Sequence, residues 1–120
     1  MSKGFSETKR KIIFNKFYGR CAYCGTSVEF IDMHIDHITP KKEGGNNELR
    51  NLNPSCAKCN TTKGDRSLED FRLHSMLGSS RFKGIINFKQ WQSLNDLGVF
   101  INLPTHIFHF EDSGHEQSCN

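Results

Sequence analysis

No apolar run in this sequence approaches the ~20 residues needed to span a bilayer, and its amino terminus has no hydrophobic region of the signal-peptide kind. The expectation is a soluble, cytoplasmic protein in a reducing compartment, where structural disulfides are disfavoured. Internal repeats and long linkers are missing too, so the 120 residues are expected to form a single domain. Apolar residues are few: at 35% hydrophobic, the chain has modest means of building a core that stands unaided. A metal staple would offset that shortfall.

Cysteine is scarce but arranged. Four of the five fall in two matched pairs, Cys21-Ala22-Tyr23-Cys24 and Cys56-Ala57-Lys58-Cys59. Two such pairs can supply four sulfurs at the corners of a tetrahedron around Zn²⁺. Two disulfides are the competing reading, and a redox site would use only one pair and leave the other unexplained. Cys119 is the odd thiol, in a polar tail. Charge is uneven as well. Residues 1–64 hold eleven Lys or Arg against six acidic residues, whereas 65–120 hold five against seven. Positive charge on the half that carries the cysteines favours a polyanionic partner, since neutralised phosphates release counterions.

Between Ser6 and Tyr18, Ile13, Phe14, Phe17 and Tyr18 recur at helical spacing, with Lys9, Lys11, Asn15 and Lys16 elsewhere and Gly19 as a stop. The first cysteine pair reads as a knuckle. Phe30 to Ile38 reads as extended chain ended by Pro40, and 41–47, rich in Gly and Asn, as a loop. Leu52 to Ser55 can pair back as a strand, and a brief helix from Ala57 would end at Gly64. Downstream, Ser67-Leu68-Glu69-Asp70 suggests a capped helix with Leu73, Met76 and Leu77 as its stripe and Gly78 as its stop. Asn87 and Gln90 suggest a second cap pair, with Phe88, Trp91, Leu94 and Leu97 on one face. Thr105 to Phe110 reads as a final strand, and 111–120 as a frayed tail.

The residues inside this frame resemble the HNH endonucleases of the His-Me finger group. Asp36-His37-Ile38-Thr39-Pro40 is similar to the family's DHxxP segment, Gly44-Gly45 to its loop glycines and Asn51-Leu52 to its central NL. Cys56-Ala57-Lys58-Cys59-Asn60 with Lys63-Gly64 is similar to its CxxCN…KG ending. The similarity covers residues 21–66. It implies an α+β fold: a small ββα-metal core stapled by a four-cysteine zinc site, flanked by an N-terminal helix (5–20), C-terminal helices and a short strand (67–110), and a tail (111–120). It also implies the roles. His37 would be the general base that activates water, Asp36 and Asn60 would hold a catalytic Mg²⁺ or Mn²⁺, and Asn51 would fix the active-site loop and orient His37. Many members carry histidine where this chain has Asn60, and an amide oxygen there biases the site toward hard cations.

The implied activity is hydrolysis of DNA, double-stranded DNA first, to a 5′-phosphate and a 3′-hydroxyl. A catalytically inactive zinc-ribbon module that binds nucleic acid or protein is one alternative, and an RNA-cleaving toxin-type nuclease another. Lys41, Lys42, Arg50, Lys58, Lys63 and Arg66 flank the motif and are candidate phosphate contacts. Phe88 and Trp91 are assigned to packing rather than base stacking, and His34 to an exposed strand start. The short chain leaves little room for a sequence-reading domain, so the expectation is weak specificity alone, or specificity from a homodimer or a protein partner.

Overall fold

The computed structural model describes residues 4–112. Two compact units emerge, one of residues 4–68 and 107–112, the other of residues 69–106. Cys119 and most of the expected tail lie outside the described residues. Among the described residues no helix is long and apolar enough to cross a membrane.

In the first unit the helix α1 spans Glu7–Asn15 and starts where Ser6 accepts a hydrogen bond from the Lys9 N–H at 3.1 Å, a side-chain cap on an otherwise orphaned donor. It ends earlier than the apolar spacing predicts. The chain tightens after Asn15, and consecutive left-handed residues, Tyr18 (φ 56°) and Gly19 (φ 75°), reverse its direction. That turn carries Lys16 inward instead of onto the polar face expected of it. The Lys16 ammonium donates to the Leu49 and Leu52 carbonyls at 3.0 and 3.1 Å and to Asn53 Oδ1 at 3.3 Å. A buried cation of this kind is held by three oxygen acceptors around the short sheet.

Strands β1 (His34–His37) and β2 (Leu52–Ser55) pair antiparallel, with His34 opposite Ser55 and His37 opposite Leu52. Only the end of the expected Phe30–Ile38 strand forms, because Phe30–Asp32 winds into a 3₁₀ turn whose carbonyl ends are held by Arg10: its Nη2 donates to Phe30 O and Met33 O, each at 3.2 Å. Alternation along β1 sends Ile35 to the apolar cluster of Ile13, Met33 and Leu52, and Asp36 to the opposite face. The seven-residue α2 (Ala57–Lys63) follows at once, with Cys56 as its N-cap and Gly64 as its terminus. The loop between the strands is pinched at Gly45. A Cβ there would lie 1.7 Å from the Thr39 carbonyl oxygen, so only glycine fits.

Residues 107–112 return to this unit without forming the strand expected at Thr105–Phe110. The His109 and Phe110 N–H groups donate to the Tyr23 and Ala22 carbonyls at 3.1 and 2.7 Å, and the Phe108 ring meets Tyr23 edge-on at 5.4 Å. The chain then winds into a 3₁₀ turn at His109–Glu111, which ends the pairing after these two bonds.

The second unit contains most of α3 (Leu68–Gly78) and all of α4 (Phe88–Asp96). The predicted cap pair is present. Asn87 Oδ1 accepts from the Gln90 N–H and Gln90 Oε1 from the Asn87 N–H, both at 2.8 Å. Arg72 ties Glu69 to the His106 carbonyl, and His74 stacks on Phe88 at 4.0 Å. The apolar face of α4 is less covered than expected: Phe88, Trp91 and Leu94 are half-buried, and Leu97 is 79% exposed.

Candidate active site

The cysteine knuckles meet because β2 runs between them, the Ala22 N–H donating to the Pro54 carbonyl at 2.9 Å. All four sulfurs lie within 4.8 Å of one another and none is in a disulfide. Four thiolates ~2.3 Å from a tetrahedral zinc would be about 3.8 Å apart, and Cys24 Sγ and Cys56 Sγ are 3.8 Å apart. Donor set and spacing thus fit a tetrahedral, thiolate-binding ion. Hydrogen bonding with the Cys59 thiol holds the Cys21 thiol well below the usual range, against the opposing effect of burial. The Tyr23 and Cys59 N–H groups reach Cys21 Sγ and Cys56 Sγ, each at 3.4 Å.

Asp36 sits one strand length away on the α2 side of the sheet and is 5% exposed. Burial pushes its carboxyl up, opposed by the Tyr23 hydroxyl and the Lys63 ammonium. Tyr23, itself pushed well above the usual phenol range first by burial and then by the Asp36 charge, stays protonated and donates to Asp36 Oδ2. Lys63 Nζ lies 3.2 Å from Asp36 Oδ1 and 3.1 Å from Oδ2, and donates to the His37 carbonyl at 2.9 Å. This corrects the sequence reading of Lys63 as a phosphate contact. Cys59 and Lys63, four residues apart, share the buried face of α2, so the lysine points at the sheet and is fully enclosed.

His37, at the end of β1, directs Nε2 to Asn47 Oδ1 at 2.7 Å. Asn51 clamps the loop from the other side. Its Oδ1 accepts from the Thr39 N–H at 2.9 Å, and its Nδ2 donates to the Thr39 and Asn46 carbonyls at 3.1 and 2.8 Å. Asp36, His37 and Asn60 line one cleft of about 280 Å³, with Lys41 and Asp65 at its edge. A carboxylate and a carboxamide that line one cleft would together suit a hard divalent cation that keeps several waters or phosphate oxygens. Lys63 already occupies part of Asp36, so such an ion would share the carboxylate with the ammonium.

The remaining candidates are peripheral. Lys41 and Lys58 are exposed. Lys42 pairs with Asp65 at 3.2 Å and Arg50 with Glu48 at 2.7 Å, both at the surface, where such pairs contribute little and release easily. Arg66 donates to the Thr62 carbonyl. His34 is half-buried at the start of β1. Sequence spacing gave no hint of Tyr23, Asn47 or Lys9, whose parts in the site arise from contacts across the fold.

The HNH endonuclease family model matches residues 21–66, the span that holds both cysteine pairs, both strands and α2. Over 47 residues the chain is 40% identical to the CRISPR-associated endonuclease Cas9 of Corynebacterium diphtheriae, which covers 38% of this chain and 4% of that protein. Over 86 residues it is 29% identical to the SPbeta prophage-derived YoqL of Bacillus subtilis, a protein named for the same HNH family, covering 62% of this chain and 36% of YoqL. The crystal structure of the Type II-C Cas9 enzyme from Actinomyces naeslundii superposes with a TM-score of 0.51 at 27% identity, over 59% of this chain and 8% of that one. The chain therefore spans a small part, about a third at most, of the curated relatives named here.

Proposed function

We infer, from the match of residues 21–66 to the HNH endonuclease family model, that the chain is a metal-dependent endonuclease hydrolysing DNA phosphodiester bonds, with double-stranded DNA as its substrate. The observation that supports this reading is that Asp36, His37 and Asn60 line one cleft. Phosphodiester hydrolysis needs an activated water, neutralised charge on the phosphate, and stabilisation of the departing 3′ oxygen. His37 takes the proton from water, a role suited to an imidazole with an unperturbed pKa near ~6.5. Asp36 and Asn60 hold Mg²⁺ or Mn²⁺, which when bound supplies the charge neutralisation. Lys63 and Tyr23 keep the Asp36 carboxylate fixed in direction. Asn51 holds the Thr39 and Asn46 carbonyls so that the loop beside His37 keeps its shape.

Cys21, Cys24, Cys56 and Cys59 take a structural Zn²⁺ that joins the two knuckles. Lys41, Lys42, Arg50, Lys58 and Arg66 supply phosphate contacts that position the duplex without reading its bases. Sequence selectivity then comes from a second copy or a partner protein.

The test offers supercoiled plasmid, single-stranded DNA and RNA to the wild-type chain and to His37→Ala, each in Mg²⁺ or Mn²⁺. Wild type is expected to nick the plasmid and leave 5′-phosphates, and His37→Ala to be slower by ~10²–10⁴-fold. Cleavage of RNA alone would move the assignment to an RNA nuclease. Binding without cleavage by either protein would make the chain a binding module.

A further inference from the structure

The geometry around His37 points to a positioning device that starts inside the family-matched segment and reaches beyond it to α1. We propose that Asn47, itself held by Lys9 of α1, fixes the tautomer and aim of the His37 imidazole, making the N-terminal helix part of the active site. The proposal rests on the reading of His37 as the base.

His37 Nε2 lies 2.7 Å from Asn47 Oδ1. A carboxamide oxygen only accepts, so Nε2 must carry the hydrogen, and in a neutral imidazole the lone pair then resides on Nδ1. A base that alternates between tautomers presents the wrong atom for part of the time. Asn47 alone would be a poor clamp, because it is exposed in a loop rich in Gly and Asn. The fold pins that loop twice. Asn51 Nδ2 holds the Asn46 carbonyl at 2.8 Å, and Lys9 Nζ donates to the Asn47 carbonyl at 2.6 Å.

Lys9 is in turn constrained. Its backbone N–H is bonded to the Ser6 side chain, and its ammonium sits 5.5 Å over the Phe5 ring. That ring also lies 6.3 Å from the His37 imidazole, tilted by 44°. Alternation along β1 explains the meeting: Asp36 turns to α2, while Ile35 and His37 turn to the face that α1 covers. Residues 5–9 therefore reach the catalytic strand from a stretch that precedes residues 21–66.

The test combines tautomer-resolving ¹⁵N NMR of the imidazoles with single-turnover cleavage for wild type, Asn47→Leu, Asn47→Asp and Lys9→Met. Wild type should show His37 protonated on Nε2. Asn47→Leu should lose that single tautomer and drop kcat by ~10–100-fold with KM changed little, and Asn47→Asp, which keeps the acceptor oxygen, should recover the Nε2–H form and most of the rate. Lys9→Met should give a smaller loss of the same kind, ~3–10-fold. A wild-type Nδ1–H tautomer, or an Asn47→Leu protein with unchanged tautomer and kcat, would overturn the proposal. The two readings fail separately: undiminished cleavage by His37→Ala would remove the base, whereas the tautomer shift would still stand in the NMR.

Discussion

Asp36 and Lys63 form an enclosed ion pair, and removing one partner is far more damaging than removing both. Lys63→Met should lower unfolding free energy by ~3–5 kcal/mol at neutral pH, because it leaves a buried carboxylate facing only Tyr23. The sign of its pH dependence follows from burial, which already pushes the Asp36 carboxyl up. Without the ammonium the folded-state pKa rises further above its unfolded value. The deficit relative to wild type should therefore shrink as pH falls through that raised pKa and Asp36 takes up a proton. Urea unfolding at neutral pH and near pH 4 checks this, and an equal deficit at both would count against the pair. Asp36 and His37 could be singled out in the sequence because they are adjacent letters of a motif, and both line the cleft. Lys63 was legible as a residue and misread as a surface cation, since the buried face of a seven-residue helix cannot be told from spacing that short. Asn47 and Lys9 were silent. Their parts depend on a 2.6 Å approach between residues 38 positions apart.

Among the elements, caps were the most readable feature, because a cap is a local arrangement of four residues. Asn87 and Gln90 form the reciprocal pair that their spacing suggests. Asn87→Ala should therefore destabilise α4 by ~0.5–2 kcal/mol, read as faster amide exchange in Phe88–Asp96 with α2 unaffected. Uniform exchange in both helices would mean that the cap does not govern α4. Where elements depend on distant partners, the sequence was less informative. α1 stops at Asn15 because Lys16 finds three acceptors around β2. Thr105–Phe110 was read as a strand, but His109–Glu111 winds into a 3₁₀ turn whose His109 and Phe110 N–H groups meet the Tyr23 and Ala22 carbonyls of a knuckle. The face of α4 shows that apolar spacing says which side is oily, not how fully it is covered; Leu97 is at helical spacing and exposed.

For the whole molecule, the small apolar cluster around Ile13, Met33, Ile35 and Leu52 would make an ion held by the four sulfurs the fastening between residues 21–24 and 56–59. α2 starts at one of those sulfurs, so the fastening also sets where Asn60 and Lys63 stand relative to β1. Structural zinc binds with roughly 10–16 kcal/mol, enough to decide whether so small a core holds its shape. Held together in this way, the clamp would build the cleft that Asp36, His37 and Asn60 line. Its most direct test is cleavage of supercoiled plasmid in excess Mg²⁺ by protein stripped of its thiolate-bound metal, then by the same protein given back one equivalent of Zn²⁺. Nicking should disappear with the zinc and return with it, alongside protection of four thiols. Undiminished nicking by the stripped protein would contradict it.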